Sequence, residues 1–362
     1  MPEEKHFYGG QAIMEGVMMR GTDAWAAAVQ RKDGVVAVIR QEIYDITHRY
    51  KWAKWPLVRG NVALVDTLTL GIRSLMFSFN VLVDEQMQLE QKQTDGAEAA
   101  EAAASVLDDG KKRRKAKAPK KQQDVGWAIW LALVPSMLIG VGLFMILPTL
   151  IVGWLPAPGT LGTIWQGIYK NLIEGIVRLF IIGGYIGVIS LLPDIKRLFQ
   201  YHGAEHATIN CYEDGKTVTL QNALPYSPLH PRCGTAFLLV FIVVKIIVGA
   251  FFGWPEPLIR ALLRVALIPV VAAIAYEIIR YGGRHRESLL ARIMAQPGLL
   301  MQRLTTRKPS EEQIRIAIYA LAAVAPEVDI PADFAPPVPA GMDGKLQQAE
   351  AVADDTAQLA GN

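Results

Sequence analysis

Residues 125–169 read VGWAIWLALVPSMLIGVGLFMILPTLIVGWLPAPGTLGTIWQGIY and contain no charged side chain. A helix needs about 20 consecutive apolar residues to cross a bilayer. Two prolines, Pro156 and Pro158, interrupt the run, so we place one span over residues 126–154 and a turn after it. Tryptophans lie near both ends of that span, as interfacial aromatic residues do. The stretch therefore predicts a protein embedded in a lipid bilayer.

Three further apolar segments predict the remaining spans, over residues 172–192, 234–254 and 258–279. Glu174 and Arg178 lie four residues apart in the second span, where we expect them to pair. Lys245 lies inside the third span. The sequence thus predicts a mainly α, polytopic membrane protein with about four transmembrane helices in residues 125–281.

Basic residues predict the orientation of these spans. Residues 111–121 contain eight lysines and arginines directly before the first span, which favours a cytosolic position for that side. Four spans then return the C-terminus to the cytosol as well. The same basic run is expected to contact anionic lipid head groups. We expect no DNA binding. Contact with RNA, with the ribosome and translocon or with a membrane protein is the alternative, although the run has no interleaved aromatic residues that would stack on nucleic-acid bases.

The apolar stretch at residues 62–83 has a different character. Its leucines, isoleucine and phenylalanine form a helical stripe, but Asp66 and Arg73 interrupt it. An amphipathic, interfacial helix over residues 57–84 explains this pattern better than a fifth span, which would reverse the side of the N-terminal domain.

Outside the membrane the composition predicts several smaller units. Residues 1–56 indicate a small β-rich cytosolic domain, because Lys32-Asp33-Gly34 separates two alternating apolar segments. Residues 85–124, rich in Ala and Glu and then in Lys and Arg, are expected to be a disordered linker. Residues 282–325 predict amphipathic cytosolic helices, the second capped by Ser310, and the Pro-rich tail 326–362 is expected to be disordered.

The overall composition excludes other classes. The chain has 362 residues, of which 51% are hydrophobic and 20% charged, with a net charge of +3 and a mean hydropathy of +0.23. These values argue against an ordinary soluble enzyme, a disordered chain and a dedicated nucleic-acid binder. Two cysteines cannot form a disulfide framework, and the N-terminus lacks the pattern of a signal peptide.

The loop between the second and third spans, residues 193–233, holds the candidate chemistry. It contains His202-Gly203-Ala204-Glu205-His206, an H-x-x-E-H string. Histidines four residues apart share one helix face, as two ligands of a single metal ion require. Glu205 beside them is suited to take a proton from water, the arrangement of the inverted zinc-peptidase signature. The alternative is that both histidines are core residues bonded to their neighbours.

The same loop ends in Leu229-His230-Pro231-Arg232-Cys233-Gly234. His230 and Cys233 carry good zinc ligands, so either or both could complete a site with the histidine pair. Four protein ligands would make the site structural, whereas an open position would allow catalysis. Glu277 near the end of the last span is a further candidate ligand, with pairing to Arg280 or Arg232 as its alternative. Cys211 is best explained as a small buried residue.

Four motifs resemble the bacterial YqhQ-like family: residues 9–21 (GGQAIMEGVMMRG), 201–212 (YHGAEHATINCY), 229–235 (LHPRCGT) and 297–306 (PGLLMQRLTT). The resemblance covers roughly residues 8–325. It implies an integral protein of the bacterial cytoplasmic (inner) membrane, of unknown function, described as a predicted metal-dependent enzyme. It also implies that His202, Glu205, His206, His230 and Cys233 are the family's shared polar positions. The linker and the tail are additions to the family pattern.

Two functions follow from these expectations. The first is a zinc-dependent hydrolase for a peptide or lipid-like substrate, in which His202 and His206 hold the metal with His230, Cys233 or Glu277, and Glu205 is the catalytic base. The second is a non-catalytic scaffold or accessory factor in membrane-protein biogenesis.

Overall fold

The computed structural model describes residues 8–43, 50–107, 126–156, 159, 162–231, 233–285 and 288–347. Within these residues the chain is mainly helical and carries one small sheet. Its strands are β1 (Gly9–Ile13), β2 (Gly16–Arg20), β3 (Ala24–Gln30), β4 (Val36–Glu42) and β5 (Val338–Pro339). The first four form an antiparallel meander in chain order, and β5 pairs with β4 in parallel.

The helices follow the four N-terminal strands and precede β5. They are α1 (Val58–Leu107), α2 (Gly126–Val141), α3 (Leu147–Gly153), α4 (Thr163–Ile189), α5 (Pro193–Glu213), α6 (Leu220–Ala223), α7 (Gly234–Ala250), α8 (Pro257–Ala266), α9 (Ile268–Arg284), α10 (Leu289–Thr305) and α11 (Glu311–Ala322). A 3-10 turn at Lys51–Lys54 precedes α1, and a π-helical turn at Gly142–Ile146 joins α2 to α3.

The predicted hairpin is present. β3 and β4 pair in antiparallel register, and the turn between them contains Gly34 with a φ of +85°, a conformation that favours glycine. The sheet does not form a unit on its own, because both of its faces are covered by helices that come from later parts of the chain.

Alternation along the strands divides the sheet into two apolar faces. Val17 and Met19 of β2 pack with residues of α5 and α11, including Tyr201 and Ile318. Met18 faces the other side and shares a core with Leu70 and Phe77 of α1, among others. The sheet is therefore sandwiched between α1 on one side and α5 with α11 on the other, and it holds the H-x-x-E-H helix in place.

Helix α1 begins one residue after the expected start, at Val58, and has two apolar faces. Leu70, Phe77 and Val81 are buried against the sheet. The stripe that the sequence singled out lies elsewhere, because Leu68 and Ile72 are 62% and 55% exposed. One face of α1 thus packs on protein, and the predicted stripe stays available to another surface.

The expectation of disorder from residue 85 onward is wrong as far as Leu107, because α1 continues to that residue. The segment lacks apolar periodicity, but it is rich in Ala, Glu and Gln, which have high helix propensity. It is also anchored at its start, since the buried Glu85 carboxylate accepts hydrogen bonds from the backbone N–H groups of Lys32 (2.6 Å) and Asp33 (3.2 Å). The basic run 111–121 lies outside the described residues.

The expectation of a disordered tail is wrong for residues 326–347. Val328 and Phe334 are buried in the core that α5 and α11 share with the sheet. The backbone N–H of Ala340 donates to the Val38 carbonyl (2.9 Å). Isolated apolar side chains separated by prolines show no period, so the sequence pattern could not reveal that they fill gaps in a core formed by distant residues. Residues 348–362 lie outside the described part.

Among the described residues, three helical stretches are long and apolar enough to cross a membrane: Val58–Asp95, Val134–Gly153 and Ile164–Ile189. The pair Pro257–Ala266 and Ile268–Gly282, bent by 44°, would make a fourth if it forms one span. The predicted third span corresponds to α7, whose apolar part, Phe237–Ala250, is shorter. Three to four apolar helices are therefore present, but they do not correspond one to one with the four predicted spans.

Ser310 caps α11 as predicted. Its hydroxyl accepts from the Gln313 backbone N–H, and the Gln313 side chain accepts from the Ser310 backbone N–H (2.8 Å). The helix is not amphipathic in its setting, because residues 316–321 are all buried. It packs on the sheet beside α5, within the core that supports the candidate site.

Candidate metal centre

Helix α5 carries the histidine pair. Pro193 occupies its first turn, where the missing N–H costs no hydrogen bond, and the helix runs to Glu213. His202 and His206 therefore lie one turn apart on the same face, with their ring centroids separated by 4.4 Å. The pair continues a helical stripe of apolar residues, Ile195, Leu198 and Phe199, and His206 is accordingly only 1% exposed.

Gly203, between the two histidines, allows a close approach of another segment. A Cβ atom at this position would lie 2.0 Å from the carbonyl oxygen of Arg307 and 3.1 Å from Cβ of Pro228. The Arg307 backbone N–H also donates to the Phe199 carbonyl (2.9 Å). Arg307, after α10, and Pro228 thus pack directly on the helix that carries the histidines.

Side-chain amides hold the turn at 228–233, which we call the cysteine turn, over that helix. The Gln302 side chain accepts from the His230 backbone N–H (2.9 Å) and donates to the His230 carbonyl (2.8 Å). Asn210 of α5 donates to the carbonyls of Ser227 (3.0 Å) and Leu229 (3.1 Å). Because Gln302 is fully buried, these bonds are shielded from water, and they fix the position of Cys233 directly before α7.

Backbone carbonyls orient both imidazole rings. His202 Nδ1 lies 2.8 Å from the Thr305 carbonyl oxygen, and His206 Nδ1 lies 2.7 Å from that of Pro228. A carbonyl only accepts, so each Nδ1 carries a proton, and in a neutral ring Nε2 then presents its lone pair. Hydrogen bonding of the second ring nitrogen in this way is typical of histidines that bind metal ions.

Cys233 completes a three-residue group, which we call the His–Cys cluster: His202, His206 and Cys233. The candidate ligand atoms all lie within 4.8 Å of one another, and His202 Nε2 is 3.1 Å from Cys233 Sγ. Ligand atoms of a tetrahedral zinc site lie about 3.3–3.8 Å apart. The 3.1 Å contact would therefore open by about half an ångström, and any pair near the 4.8 Å limit would close by about 1 Å, to hold a metal ion. Nitrogen and sulfur ligands together are the set that zinc prefers.

The buried atoms of the site suit a metal ion. Within the described part of the chain, His206 Nε2 is shielded from solvent and makes no hydrogen bond of normal geometry, although the ring interacts with the Cys233 sulfur. A buried acceptor with so weak a partner is costly, and a metal ion at the His–Cys cluster would remove that cost. Burial lowers the pKa of His206, an effect that the Cys233 sulfur opposes. The imidazole is therefore kept neutral, the form that binds metal.

Glu205 lies on the adjoining face of α5, against strand β1. Its carboxylate accepts from the Gly10 backbone N–H, and its Oε2 atom is buried with no hydrogen-bond partner among the described residues. Burial raises its pKa from 4.5 to about 7, an effect opposed by His202, His230 and the Gly10 N–H. Gly10 must be glycine, because a Cβ atom there would lie 2.4 Å from the Met18 carbonyl oxygen.

A cavity of about 230 Å³ connects the carboxylate to the cysteine turn. Glu205, His230 and Cys233 line it together with residues of β1, β2 and α1. Its wall combines apolar groups such as Leu70 with the polar side chain of Arg20. The site therefore has room for a small part of a substrate beside the candidate base.

The structure does not bring every candidate ligand into the cluster. His230 lies beside it, with its ring centroid 5.7 Å from that of His206, and its Nε2 atom is 3.6 Å from Glu213. Glu277 accepts two hydrogen bonds from Arg59 of α1, a partner that we did not expect. Cys211 is buried in the core, where burial raises the pKa of its thiol.

Sequence reasoning missed the groups that position the ligands, above all Gln302 and Thr305. Both belong to the motif at 297–306, which resembles the YqhQ-like family, but that resemblance suggests no role for either residue. Polar residues at the end of a helix carry no signal of what they will contact one hundred residues away.

Comparison with known proteins places the chain in a family. A family model described as "Protein of unknown function (DUF1385)" matches residues 55–327. The uncharacterized protein YqhQ of Bacillus subtilis (strain 168) is 31% identical over 315 residues, which cover 86% of this chain and 90% of that protein. The chain belongs to the DUF1385 family. The resemblance inferred from the four motifs is thereby confirmed.

The DUF1385 match includes α5, the cysteine turn and α10, and so the whole His–Cys cluster with Glu205 and Gln302. Neither the family description nor the name of the Bacillus protein states an activity. No solved structure matches the chain. Any function must therefore be argued from the chemistry of the site.

Proposed function

We propose that this protein is a zinc-dependent hydrolase of the bacterial cytoplasmic membrane, with its site on the cytosolic side. The observation that carries the proposal is the convergence of one ring nitrogen from each of two histidines and one cysteine sulfur within 4.8 Å, beside a buried carboxyl group. Three protein ligands leave a tetrahedral metal one open position, the arrangement of catalytic rather than structural zinc sites.

The residues divide the work by position. His202, His206 and Cys233 would hold the metal, and the carbonyls of Thr305 and Pro228 keep the two rings oriented for it. A zinc ion held there supplies Lewis acidity, which polarises a substrate carbonyl or phosphoryl group. Gln302 holds the backbone at the start of α7, so that the thiol stays over the rings.

Glu205 is the general base of this proposal. Its buried carboxyl group has a pKa of about 7, near the pH at which a base must both accept and release a proton. It faces the cavity, so a water molecule entering there can give its proton to the Oε2 atom. Without a hydrogen-bond partner in the described structure, that atom is available for the task.

The surroundings support a peptide or a lipid-like amphiphile as the substrate. The cavity wall is partly apolar, and the cysteine turn leads directly into α7, a helix made almost wholly of apolar residues. Many side chains on the apolar helices are exposed, including Trp154 at 90% and Phe180 at 77%. Such surfaces suit a bilayer, which would place a membrane-bound substrate at the level of the site.

One observation favours a second function. The His–Cys cluster joins α5, which packs on the sheet, to the first residues leading into α7, which packs on α9. A metal at this junction would hold the sheet-bearing part of the chain to the apolar helices. That is the role of a structural ion in a scaffold for membrane-protein biogenesis, in which no bond of a substrate is broken.

The variant Glu205→Gln separates the two functions. Zinc-loaded wild-type protein in detergent is incubated with fluorescein-labelled casein and, separately, with a fluorogenic phospholipid. The proposal predicts cleavage of one of them by the wild type, a loss of about 10²–10⁴-fold in Glu205→Gln with unchanged zinc content, and no loss in the exposed control Glu90→Gln. Full activity in Glu205→Gln would refute the role of the base. Bound zinc without hydrolysis of either probe would favour the scaffold.

A further inference from the structure

A group of charged side chains lies among the apolar helices, separate from the His–Cys cluster. We call it the buried ion cluster: Glu174 and Arg178 of α4, Lys245 of α7 and Arg264 of α8. The expected pair between Glu174 and Arg178 is present, with Arg178 Nη2 donating to Glu174 Oε1 (2.6 Å). Glu174 is 1% exposed, although its sequence neighbours are mostly apolar. The cluster needs an explanation that the proposed hydrolase does not supply.

Both oxygen atoms of the Glu174 carboxylate accept hydrogen bonds from neighbouring side chains. Glu174 Oε1 also accepts from the Thr149 hydroxyl (3.0 Å), and Glu174 Oε2 accepts from Arg264 Nη2. Arg178 Nε donates to the Phe144 carbonyl (3.0 Å), which belongs to the π-helical turn. Each of these partners is neutral apart from the two guanidinium groups, so none of them offers a second negative charge.

The charges of the cluster do not balance. One carboxylate faces two guanidinium groups and one ammonium group, a formal excess of two positive charges, and one excess charge remains even if the lysine is neutral. In the described part of the chain, Lys245 has no hydrogen-bond acceptor. The Arg178 and Arg264 side chains are only 13% and 15% exposed. Unpaired charge in such surroundings is strongly unfavourable, so a compensating anion would stabilise the fold.

The structure leaves a place for that anion. A cavity of about 30 Å³ is bounded by all four members of the cluster and by Gly249, where a Cβ atom would meet nothing within 4 Å. This volume holds one species of about the size of a water molecule. We propose that the buried ion cluster binds a single anionic group of that size, supplied either by a free halide such as chloride or by one phosphate oxygen of a phospholipid.

Chloride titration tests the free-ion source. Full-length protein is purified in detergent and chloride-free gluconate buffer, and its thermal unfolding midpoint is measured as chloride replaces gluconate at constant ionic strength. The proposal predicts a saturable rise of the midpoint in the wild type, a much weaker response in Lys245→Gln, and an unchanged response in Lys196→Gln, which removes an exposed lysine of α5.

Native mass spectrometry of the same samples tests the lipid source. If chloride has no effect, the proposal predicts an anionic phospholipid that stays bound to the wild type and is lost from Lys245→Gln. A wild type that neither responds to chloride nor retains a phospholipid would overturn the proposal, and so would an equal response in both lysine variants. Neither measurement depends on zinc or on hydrolysis, so the outcome is independent of the proposed function.

Discussion

Replacing Gln302 with leucine tests how the cysteine turn is positioned. The Gln302 side chain makes two hydrogen bonds to the backbone of His230, at 2.9 and 2.8 Å, in a fully buried setting. Leucine fills nearly the same space but makes neither bond. Leaving a buried backbone group without its partner costs about 1–3 kcal/mol. The His230 carbonyl keeps a long contact with the Cys233 N–H (3.4 Å), so we expect a total loss of about 2–4 kcal/mol.

Two measurements read out this change. The unfolding midpoint of the metal-free variant is expected to fall by about 4–8 °C, taking roughly 2 °C for each kcal/mol in a large domain. The zinc content at limiting zinc is expected to fall as well, because the turn that places Cys233 loosens. The exposed control Gln221→Leu should change neither value. If Gln302→Leu matches the wild type in both, the turn is not held by this side chain.

Three further predictions concern the fold and the base. Gly203→Ala would place Cβ 2.0 Å from the Arg307 carbonyl oxygen and should lower the free energy of unfolding by about 1–3 kcal/mol. The control Gly183→Ala, where Cβ would meet nothing within 4 Å, should not lower it, and equal effects of the two variants would contradict the packing at Gly203. The pKa of Glu205 is raised from 4.5 to about 7. In metal-free protein, the contribution of this group to the free energy of unfolding should therefore be largest below pH 4.5, and up to about 3 kcal/mol of it should be lost as the pH rises through 7. Urea titrations in which Glu205→Gln keeps the same pH slope as the wild type would refute this. Phe334→Ala should lower the free energy of unfolding by about 3 kcal/mol, and Ile330→Ala, at a half-exposed position, should lower it by much less. If Phe334→Ala has no effect, residues 326–347 do not contribute to the core.

Local signals explain what the sequence could predict. The uncharged run at 125–169 implied apolar helices, Asp33-Gly34 implied a hairpin, and Ser310 implied a capped helix. Each of these features depends on residues close together in the chain. The histidine pair belongs to the same class, because the i, i+4 spacing on a helix is enough to bring the two rings together.

Long-range contacts account for what the sequence could not predict. Glu277 pairs with Arg59, which lies 218 residues away, whereas a sequence pattern offers only near neighbours such as Arg280. The described part of the tail, residues 326–347, packs on the fold because its few apolar side chains fill a core built from three separate parts of the chain, within residues 8–36, 201–223 and 314–325. Gln302 and Thr305 acquire their roles only when α10 packs beside α5. The structure brings Cys233 rather than His230 to the histidine pair, and no sequence pattern indicated the groups that orient the two rings.

Zinc content is the most direct test of the proposed metal centre. Elemental analysis is carried out on detergent-purified wild type, Cys233→Ser and the double variant His202→Ala/His206→Ala, with Cys211→Ser and His285→Ala as matched controls and gel filtration to verify folding. We predict about one zinc per chain in the wild type and in both controls, and its loss from the folded cluster variants. A folded wild type without metal, or zinc that persists in the cluster variants, would contradict the account.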